Sequence, residues 1–355
     1  MQDGEWVKGA EPGEVTEILG VPAGAAGKKD RRFHHRLADG RHRDVKAEIM
    51  HAHAAHFPTN PAGDPARLRR GADSLQNMRV ATANLLTYQS ASGRDRHEAA
   101  KDLLADLDID VIALQEVTRT ADFDQAVSLL GPDYTIVDVP GGDPVYGGEC
   151  LATRCRVLHV ERMQIELSDT QSSTPSFARA LALIVDGPLA VGPVIVVHHT
   201  GTFERDLESV REKQAVATAR MVEGLLRVHG NLPVVLLGDF NASPDSSSMR
   251  FLTGRQSLAG FSVYYEDAWE ASQGTAPGYT FEPRNPLVRV GQMPLERGRR
   301  IDHILVRGGA HGAFLDVQEC RLLMTEPRDG VWPSDHYGVL ADLVPPPHPP
   351  GHWAS

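Results

Sequence analysis

Carboxylate and amide side chains stand at the ends of two apolar segments of this sequence. Glu116 follows the apolar residues 111–114, and Asp239 and Asn241 follow the apolar residues 234–237. A side chain at the end of a buried strand is presented rigidly to whatever cleft lies beyond that strand. Oxygen ligands of this kind suit Mg²⁺, a hard cation that keeps some of its waters. The pattern therefore predicts a divalent metal site.

Histidines accompany these carboxylates. Asp302 and His303 lie within an apolar segment, and Ser334, Asp335 and His336 precede the last one. Histidines beside a metal can transfer protons or stabilise charge on a phosphoryl group. The Ser-Asp-His run is not a nucleophilic triad, because neighbours on a strand point to opposite faces. Each motif alone is weak, and their combination carries the prediction.

Regular apolar periodicity begins near residue 78. Helical spacing covers residues 96–108, 123–130 and 204–229. Strands are predicted at residues 79–85, 111–115, 134–139, 150–153, 157–167, 180–185, 194–198, 234–237, 301–306, 317–323 and 338–343. Many strands, few long helices and no βαβ regularity indicate two packed sheets with helices outside.

The first 77 residues differ from the rest and are predicted to form a small accessory domain and linker. Residues 28–46 are locally basic, residues 31–49 suggest a hairpin around Asp39-Gly40, and residues 58–73 suggest a linker. Their histidines at 51, 53 and 56 could bind a transition metal with His34 or His35, but a helical surface stretch fits their spacing better. Residues 78–345 form the predicted catalytic domain, and the Pro-rich residues 346–355 a disordered tail.

Composition limits the possible partners and setting. The chain has 355 residues and a net charge of −11, which argues against a general binder of polyanions. Cys150, Cys155 and Cys320 form an odd set without metal-type spacing. They suggest a reducing compartment, and no leader or membrane-spanning segment is evident. The expectation is a cytoplasmic protein without a membrane partner.

The ordered motifs together resemble the endonuclease/exonuclease/phosphatase superfamily, whose fold is that of DNase I. The motifs that carry the resemblance are Asn84, Leu114-Gln115-Glu116, His199, Gly238-Asp239-Phe240-Asn241, Arg300-Ile301-Asp302-His303 and Ser334-Asp335-His336. The resemblance covers residues 78–345. It implies an α/β four-layer sandwich of two packed mixed sheets flanked by helices. It also implies hydrolysis of phosphoesters with a divalent metal, usually Mg²⁺, for which Mn²⁺ can substitute.

The resemblance also implies roles for individual residues. Glu116 would be the principal metal ligand, supported by Asn84 and Asp335. Asp239 would orient or deprotonate the attacking water, and Asn241 would hydrogen-bond the phosphoryl group.

Two histidines complete the implied catalytic set. His336 would contact the scissile phosphate, with Asp302 favouring its protonated form. His199 matches the family's Thr-His-Leu histidine, and its neighbour His198 would face the other side of the strand.

Substrate contacts are less specified by the sequence. Tyr146, Arg179 and Trp332 are candidate phosphate or substrate contacts. Tyr279 and Phe281 could stack on a base or plug the edge of the sandwich. Arg297, Arg299 and Arg300 form a basic cluster, which could be a patch that tracks phosphates or a solvated loop.

The prediction from sequence is a Mg²⁺-dependent phosphodiesterase that acts on nucleotides or on short or single-stranded nucleic acid. One alternative is a phosphatase of a small phosphorylated metabolite. Another is a catalytically silent binding module that acts through its N-terminal domain, although the complete motif set argues against it. A metal-centred cleft accounts for part of the negative charge, because a bound cation reverses the local sign.

Overall fold

The structure is a computed structural model that describes residues 77–143, 147–165 and 179–351, together with two short strands nearer the N-terminus. The chain divides into two compact units, residues 1–63 and 64–355. In the first unit, β1 (His34–Arg36) pairs antiparallel with β2 (His42–Asp44), as expected for the predicted hairpin. The predicted linker and the histidines at 51, 53 and 56 lie outside the described residues.

The second unit contains two sheets and their flanking helices. In chain order its strands are β3 (Met78–Asn84), β4 (Val111–Val117), β5 (Thr135–Asp143), β6 (Gly147–Thr153), β7 (Arg156–Gln164), β8 (Arg179–Asp186), β9 (Pro193–His199), β10 (Val234–Asp239), β11 (Tyr265–Asp267), β12 (Asp302–Gly309), β13 (Gly312–Ala313), β14 (Asp316–Leu323) and β15 (Gly338–Val344). Its helices are α1 (Gly93–Leu104), α2 (Gln125–Leu130), α3 (Glu208–His229), α4 (Ser247–Leu252), α5 (Ala268–Gln273) and α6 (Pro286–Val290).

Each sheet has one parallel pair at its centre. One sheet has the order β14-β15-β3-β4-β6-β5, and the other has β11-β12-β10-β9-β8-β7 with β13 beside β12. The pairs β3–β4 and β9–β10 are parallel, and the other pairs are antiparallel. Parallel neighbours end at the same edge of a sheet, which brings the residues that follow β3 and β4, and those that follow β9 and β10, close together.

Alternation along the strands builds the layers. In β10, Val235 and Leu237 pack between the two sheets, whereas Val234 and Leu236 pack beneath α3 and α4. The other sheet packs its outer face against α1 and α2. Helix, sheet, sheet and helix therefore form four layers, and the predicted α/β sandwich is confirmed.

Several element boundaries differ from the sequence prediction for local reasons. Helix α2 begins at Gln125 because the side chain of Asp124 caps it by accepting a hydrogen bond from the Val127 amide at 3.0 Å. Helix α3 begins at Glu208 rather than at residue 204. Arg211 holds the preceding residues in a turn by donating to the carbonyl oxygens of Thr202 and Glu204 at 2.9 and 2.7 Å.

Two further observations bear on setting. Cys150, Cys155 and Cys320 are free cysteines, and the compartment inferred from them stays a prediction. Among the helices of the described part of the chain, none combines the length and the apolar character that a membrane crossing requires.

Candidate active site

A cavity of about 370 Å³ lies where the ends of β3, β4, β10 and β12 converge. It gathers side chains from both sheets and from the loop before β15. Of the residues predicted from the sequence to act in catalysis or to contact metal, phosphate or substrate, those that line it are Asn84, Glu116, Arg179, Asp239, Asn241, Phe281, Arg299, Asp335 and His336.

Glu116 is placed by an irregularity in β4. The pairing of β4 with β6 shifts register between Leu114 and Val117, and Glu116 adopts a positive φ of 56°. A non-glycine residue in this region is strained, and bulges commonly turn a side chain toward a functional site. Its Oε1 accepts a hydrogen bond from Asn84 Nδ2 at 2.9 Å, and its Oε2 accepts one from the Thr87 amide at 3.3 Å. The bulge thus turns the carboxylate toward the cavity.

Asp239 ends β10 and is buried. Its Oδ2 accepts a hydrogen bond from Asn84 Nδ2 at 3.2 Å, and its Oδ1 accepts one from the Asn241 amide at 2.9 Å. Burial raises the pKa of Asp239 to about 7, and the nearby charge of Asp302 contributes to the increase. Such a carboxylate can accept a proton near neutral pH, which is what a general base requires.

Asn241 is held beside Asp239 by the backbone. Its φ is 51°, and its Nδ2 donates to the Gly201 carbonyl oxygen at 3.0 Å. Gly201 must be a glycine, because a Cβ there would lie 2.1 Å from the carbonyl oxygen of Phe240. The loops after β9 and β10 are therefore in direct contact at the cavity.

His336 and Asp302 form a buried ion pair. His336 Nδ1 lies 3.0 Å from Asp302 Oδ2. Burial alone would lower the pKa of His336, but Asp302 and Asp239 together raise it well above its usual value. The raised pKa favours the imidazolium, which directs Nδ1–H at Asp302 and leaves Nε2–H as a donor for a ligand.

The carboxylates of Glu116 and Asp335 are chemically suited to bind a magnesium ion. Burial and the charge of Asp335 both raise the pKa of Glu116, and a cation bound to these carboxylates would relieve both effects. Carboxylate oxygens are the ligands that Mg²⁺ prefers. Asn84, as its amide is oriented, supports these carboxylates through Nδ2, while its Oδ1 accepts from the Leu86 amide at 3.0 Å.

A second group of side chains also has ligand atoms close together. Those of Asp239, Asp302 and His336 lie within 4.8 Å of one another. The raised pKa of His336 favours a proton on each ring nitrogen, and a protonated ring does not bind a cation. Glu116 and Asp335 offer only carboxylate oxygens and stay the predicted ligands.

The structure does not bring His199 into the cavity. His199 lies on the outer face of β9, where its Nδ1 is 3.1 Å from Thr218 Oγ1 of α3 and its ring packs on Phe240. Alternation along β9 turns His198 toward the other sheet instead, as the sequence predicted for this neighbour. The role of His199 at the phosphate stays a prediction that this placement does not support.

His199 offers a test through acid stability. Burial lowers the pKa of His199 to about 4 in the folded protein. Below pH ~6.5 the unfolded chain therefore binds a proton at this residue, whereas the folded chain does not until the pH approaches 4. The stability that the neutral ring contributes is therefore present above pH ~6.5 and is lost as the pH falls toward 4. Between pH 7 and pH 5 the wild type should lose about 2 kcal/mol of unfolding free energy through His199, and His199→Gln should not show this loss. Urea unfolding of the wild type, of His199→Gln and of the control His311→Gln, whose side chain is exposed, measures this at both pH values. An equal loss of unfolding free energy in all three proteins would contradict the prediction.

The remaining substrate candidates are placed differently from one another. Arg179 begins β8 and lines the cavity, where its Nε donates to Gln164 Oε1 at 3.3 Å. Trp332 stacks on Tyr337, with 6.1 Å between ring centroids, and is not part of the cavity lining. Tyr146 lies outside the described residues.

The basic cluster is neither a free patch nor a fully solvated loop. Arg300 is buried and its Nη1 lies 2.6 Å from Asp267 Oδ2. Arg299 pairs with the buried carboxylate of Glu296 at 2.8 Å. The sequence could not show the pairing of Arg300, because its acidic partner lies 33 residues away.

Comparison with known families decides the class of this site. Residues 81–336 match the sequence profile described as the Endonuclease/Exonuclease/phosphatase family. The chain belongs to this family. It is accordingly a hydrolase of phosphoesters, as the motifs predicted. Among curated proteins, no sequence matches the chain.

Solved structures share the fold of this family member. TDP2 from D. rerio, in complex with a single-strand DNA product, aligns with a TM-score of 0.58 and 18% identity over 75% of this chain and 98% of that one. An endonuclease/exonuclease/phosphatase from Bacteroides vulgatus aligns with a TM-score of 0.56 and 20% identity over 76% and 99%. The human Nocturnin catalytic domain with bound sulfate aligns with a TM-score of 0.56 and 18% identity over 80% and 100%. At these identities the likeness shows the fold alone.

Sequence reasoning missed one polar network of this phosphoesterase. Thr82 Oγ1 donates to Gln115 Oε1 at 3.2 Å, and Gln115 Nε2 lies 3.0 Å from His198 Nε2. Because the amide nitrogen of Gln115 donates this hydrogen bond, His198 Nε2 is the acceptor and His198 Nδ1 carries the proton. Nδ1 lies 3.8 Å from Glu149 Oε2. Glu149 lines the cavity, and burial raises its pKa to about 7. Alternation along β9 was the signal that could have found His198.

Proposed function

We propose that this chain is a Mg²⁺-dependent phosphodiesterase whose substrates are nucleotides or short or single-stranded nucleic acid. One observation carries the proposal: the carboxylates of Glu116 and Asp335 share a cavity with Asp239 and with His336, which is paired with Asp302 behind it. Cation ligands, a fixed positive donor and a carboxylate with a pKa near 7 are the groups that phosphoester hydrolysis requires.

The chemistry needs no covalent intermediate. A bound Mg²⁺, which Mn²⁺ could replace, would be held by Glu116 and Asp335 and would neutralise charge on the phosphoryl oxygens. Asp239 holds the attacking water and takes its proton as the water oxygen bonds to phosphorus. The bond from phosphorus to the ester oxygen breaks, and the leaving alkoxide is protonated by solvent. The Nε2–H of His336 donates to a phosphoryl oxygen, and Asn241, next to Asp239, provides a neutral donor.

Size and charge support a small or single-stranded substrate. A cavity of about 370 Å³ is near the lower end of the range for small-molecule sites. The net charge of −11 disfavours long duplexes, which bind to basic surfaces. The fold neighbour from D. rerio holds a single-strand DNA product, which is in keeping with this substrate class. The size of the cavity also keeps a phosphatase of a small metabolite as the second candidate.

Hydrolysis of bis-p-nitrophenyl phosphate tests the proposal. We expect turnover with Mg²⁺ or Mn²⁺, loss of turnover with excess EDTA, and recovery when Mg²⁺ is restored. p-Nitrophenyl phosphate, measured in parallel, separates diesterase from monoesterase activity. Faster turnover of the monoester would favour the phosphatase, and turnover of neither ester would favour a silent binding module. Activity that EDTA leaves unchanged would contradict the assigned cation.

A further inference from the structure

The cavity has an apolar side that the hydrolysis of a phosphate does not need. Besides its carboxylates, the cavity is lined by the side chains of Phe203, Phe281, Leu287, Val290, Met293 and Ile301. We refer to Phe281, Leu287, Val290 and Met293 as the apolar wall. Val290 is 81% exposed, so this wall leaves apolar surface open to solvent at the mouth of the cavity. Open apolar surface beside a polar site marks a place where a ligand is bound.

The apolar wall is fixed relative to the catalytic residues. Asn285 caps α6 by accepting from the Leu287 amide at 3.0 Å, and its Nδ2 donates to the Ser334 carbonyl oxygen at 2.7 Å. Asn285 is fully buried, and Ser334 lies two residues before His336. These two hydrogen bonds of Asn285 connect the start of α6 to the loop that carries Asp335 and His336.

Phe281 joins the wall to the phosphate site. Its ring packs on the imidazole of His336, with 4.8 Å between centroids. Val288 and Ile301, both buried, pack behind it together with Met293. A phosphate that accepts a hydrogen bond from His336 would therefore place one of its substituents against the wall.

The charged residues beside the wall are paired with each other, and two neutral polar side chains also line the cavity. The guanidinium of Arg299 lies 5.8 Å from the centre of the Phe281 ring, and Glu296 pairs with that guanidinium. Ser90 and Gln292 also line the cavity, and their hydroxyl and amide groups can hydrogen-bond the edge of a heterocycle. An alkyl chain offers no hydrogen-bonding atom to either group, whereas a planar base has donors and acceptors at its edge.

On these grounds we infer that the apolar wall binds one nucleobase of the substrate, next to the phosphate that is cleaved. The inference rests on the proposed function and adds the part of the substrate that is recognised. A volume of about 370 Å³ accommodates one nucleotide rather than a longer strand. Recognition would then depend on a single base, with stacking on apolar and aromatic side chains contributing most of the affinity.

Binding of three phosphate monoesters tests the inference without requiring hydrolysis. Thymidine 5′-monophosphate, methyl phosphate and octyl phosphate share the phosphate and differ only in their substituent. Calorimetry in Mg²⁺ is expected to give an affinity for the nucleotide at least about tenfold above that for methyl phosphate. The affinity of octyl phosphate should lie between the two.

Two matched valines provide the variants. Val290→Ser is expected to weaken binding of thymidine 5′-monophosphate about fivefold and to leave methyl phosphate unchanged. Val228, 77% exposed on α3, is the control, and Val228→Ser should change neither affinity. Val290 is exposed, so its substitution does not disturb the fold.

The outcomes separate this inference from the proposed function. Equal affinities for the nucleotide and methyl phosphate, or an equal loss of both in Val290→Ser, would overturn the assignment of the wall. Tighter binding of octyl phosphate would assign the wall to an alkyl group and would also overturn it. Either result is compatible with metal-dependent hydrolysis of bis-p-nitrophenyl phosphate. If the proposed function is wrong, by contrast, that hydrolysis will not be observed.

Discussion

Replacing Asp239 by asparagine is expected to lower kcat for phosphodiester hydrolysis about 10²–10⁴-fold without loss of the fold. Asparagine keeps the oxygen that accepts from the Asn241 amide, but it cannot take a proton from water. Burial raises the pKa of Asp239 to about 7, so the charged form is disfavoured in the folded protein. Asparagine removes this buried charge but places its Nδ2 against Asn84 Nδ2, which now donates to Asp239 Oδ2. The two effects oppose each other, so the melting temperature of the metal-free protein should stay close to that of the wild type.

The control for this prediction lies in the next loop. Asp245 is exposed, and Asp245→Asn should change neither kcat nor the melting temperature. Steady-state kinetics and thermal unfolding of the three proteins decide the matter. Full activity in Asp239→Asn would contradict its role at the attacking water. Lost activity with a lower melting temperature would instead indicate a structural defect.

Most of the fold could be predicted because the apolar pattern determines which faces are buried. In β10, alternate residues pack toward the second sheet and toward α3, so a segment of six residues specifies two layers. The grouping of Asp239 and Asn241 with His336 could be predicted only from the resemblance to the family, because β10 and β15 lie in different sheets. The ordered motifs, rather than the strand pattern, therefore located the candidate site.

Other features of the site depend on contacts that the sequence does not display. The positive φ of Glu116 follows from its bulged pairing with β6, and no local signal marks it. His199 and His198 differ only in which face of β9 they occupy, and the resemblance was assigned to the residue that faces α3. Helix α6 has five residues, too few to show a helical period, yet it carries part of the apolar wall.

Replacing Asp302 by asparagine is expected to affect both activity and stability. The variant leaves His336 buried without its carboxylate, which should destabilise the metal-free protein by about 3 kcal/mol at pH 6. It should also lower kcat about 10²-fold, because an imidazole that loses its proton no longer stabilises charge on the phosphate. In the His336→Asn variant, a further Asp302→Asn change should lower stability and kcat only slightly if the two residues act as a unit.

The pH dependence of this variant separates the ion pair from ordinary packing. The pKa of His336 is raised in the folded protein, so its charged form contributes stability that is complete below the unfolded pKa of about 6.5. That contribution disappears as the pH rises through the raised folded pKa. The difference in unfolding free energy between wild type and Asp302→Asn should therefore be largest near pH 6 and should shrink toward alkaline pH. Unfolding of the metal-free proteins in EDTA measures it, and a difference that stays constant with pH would show that Asp302 acts through packing rather than through the charge on His336.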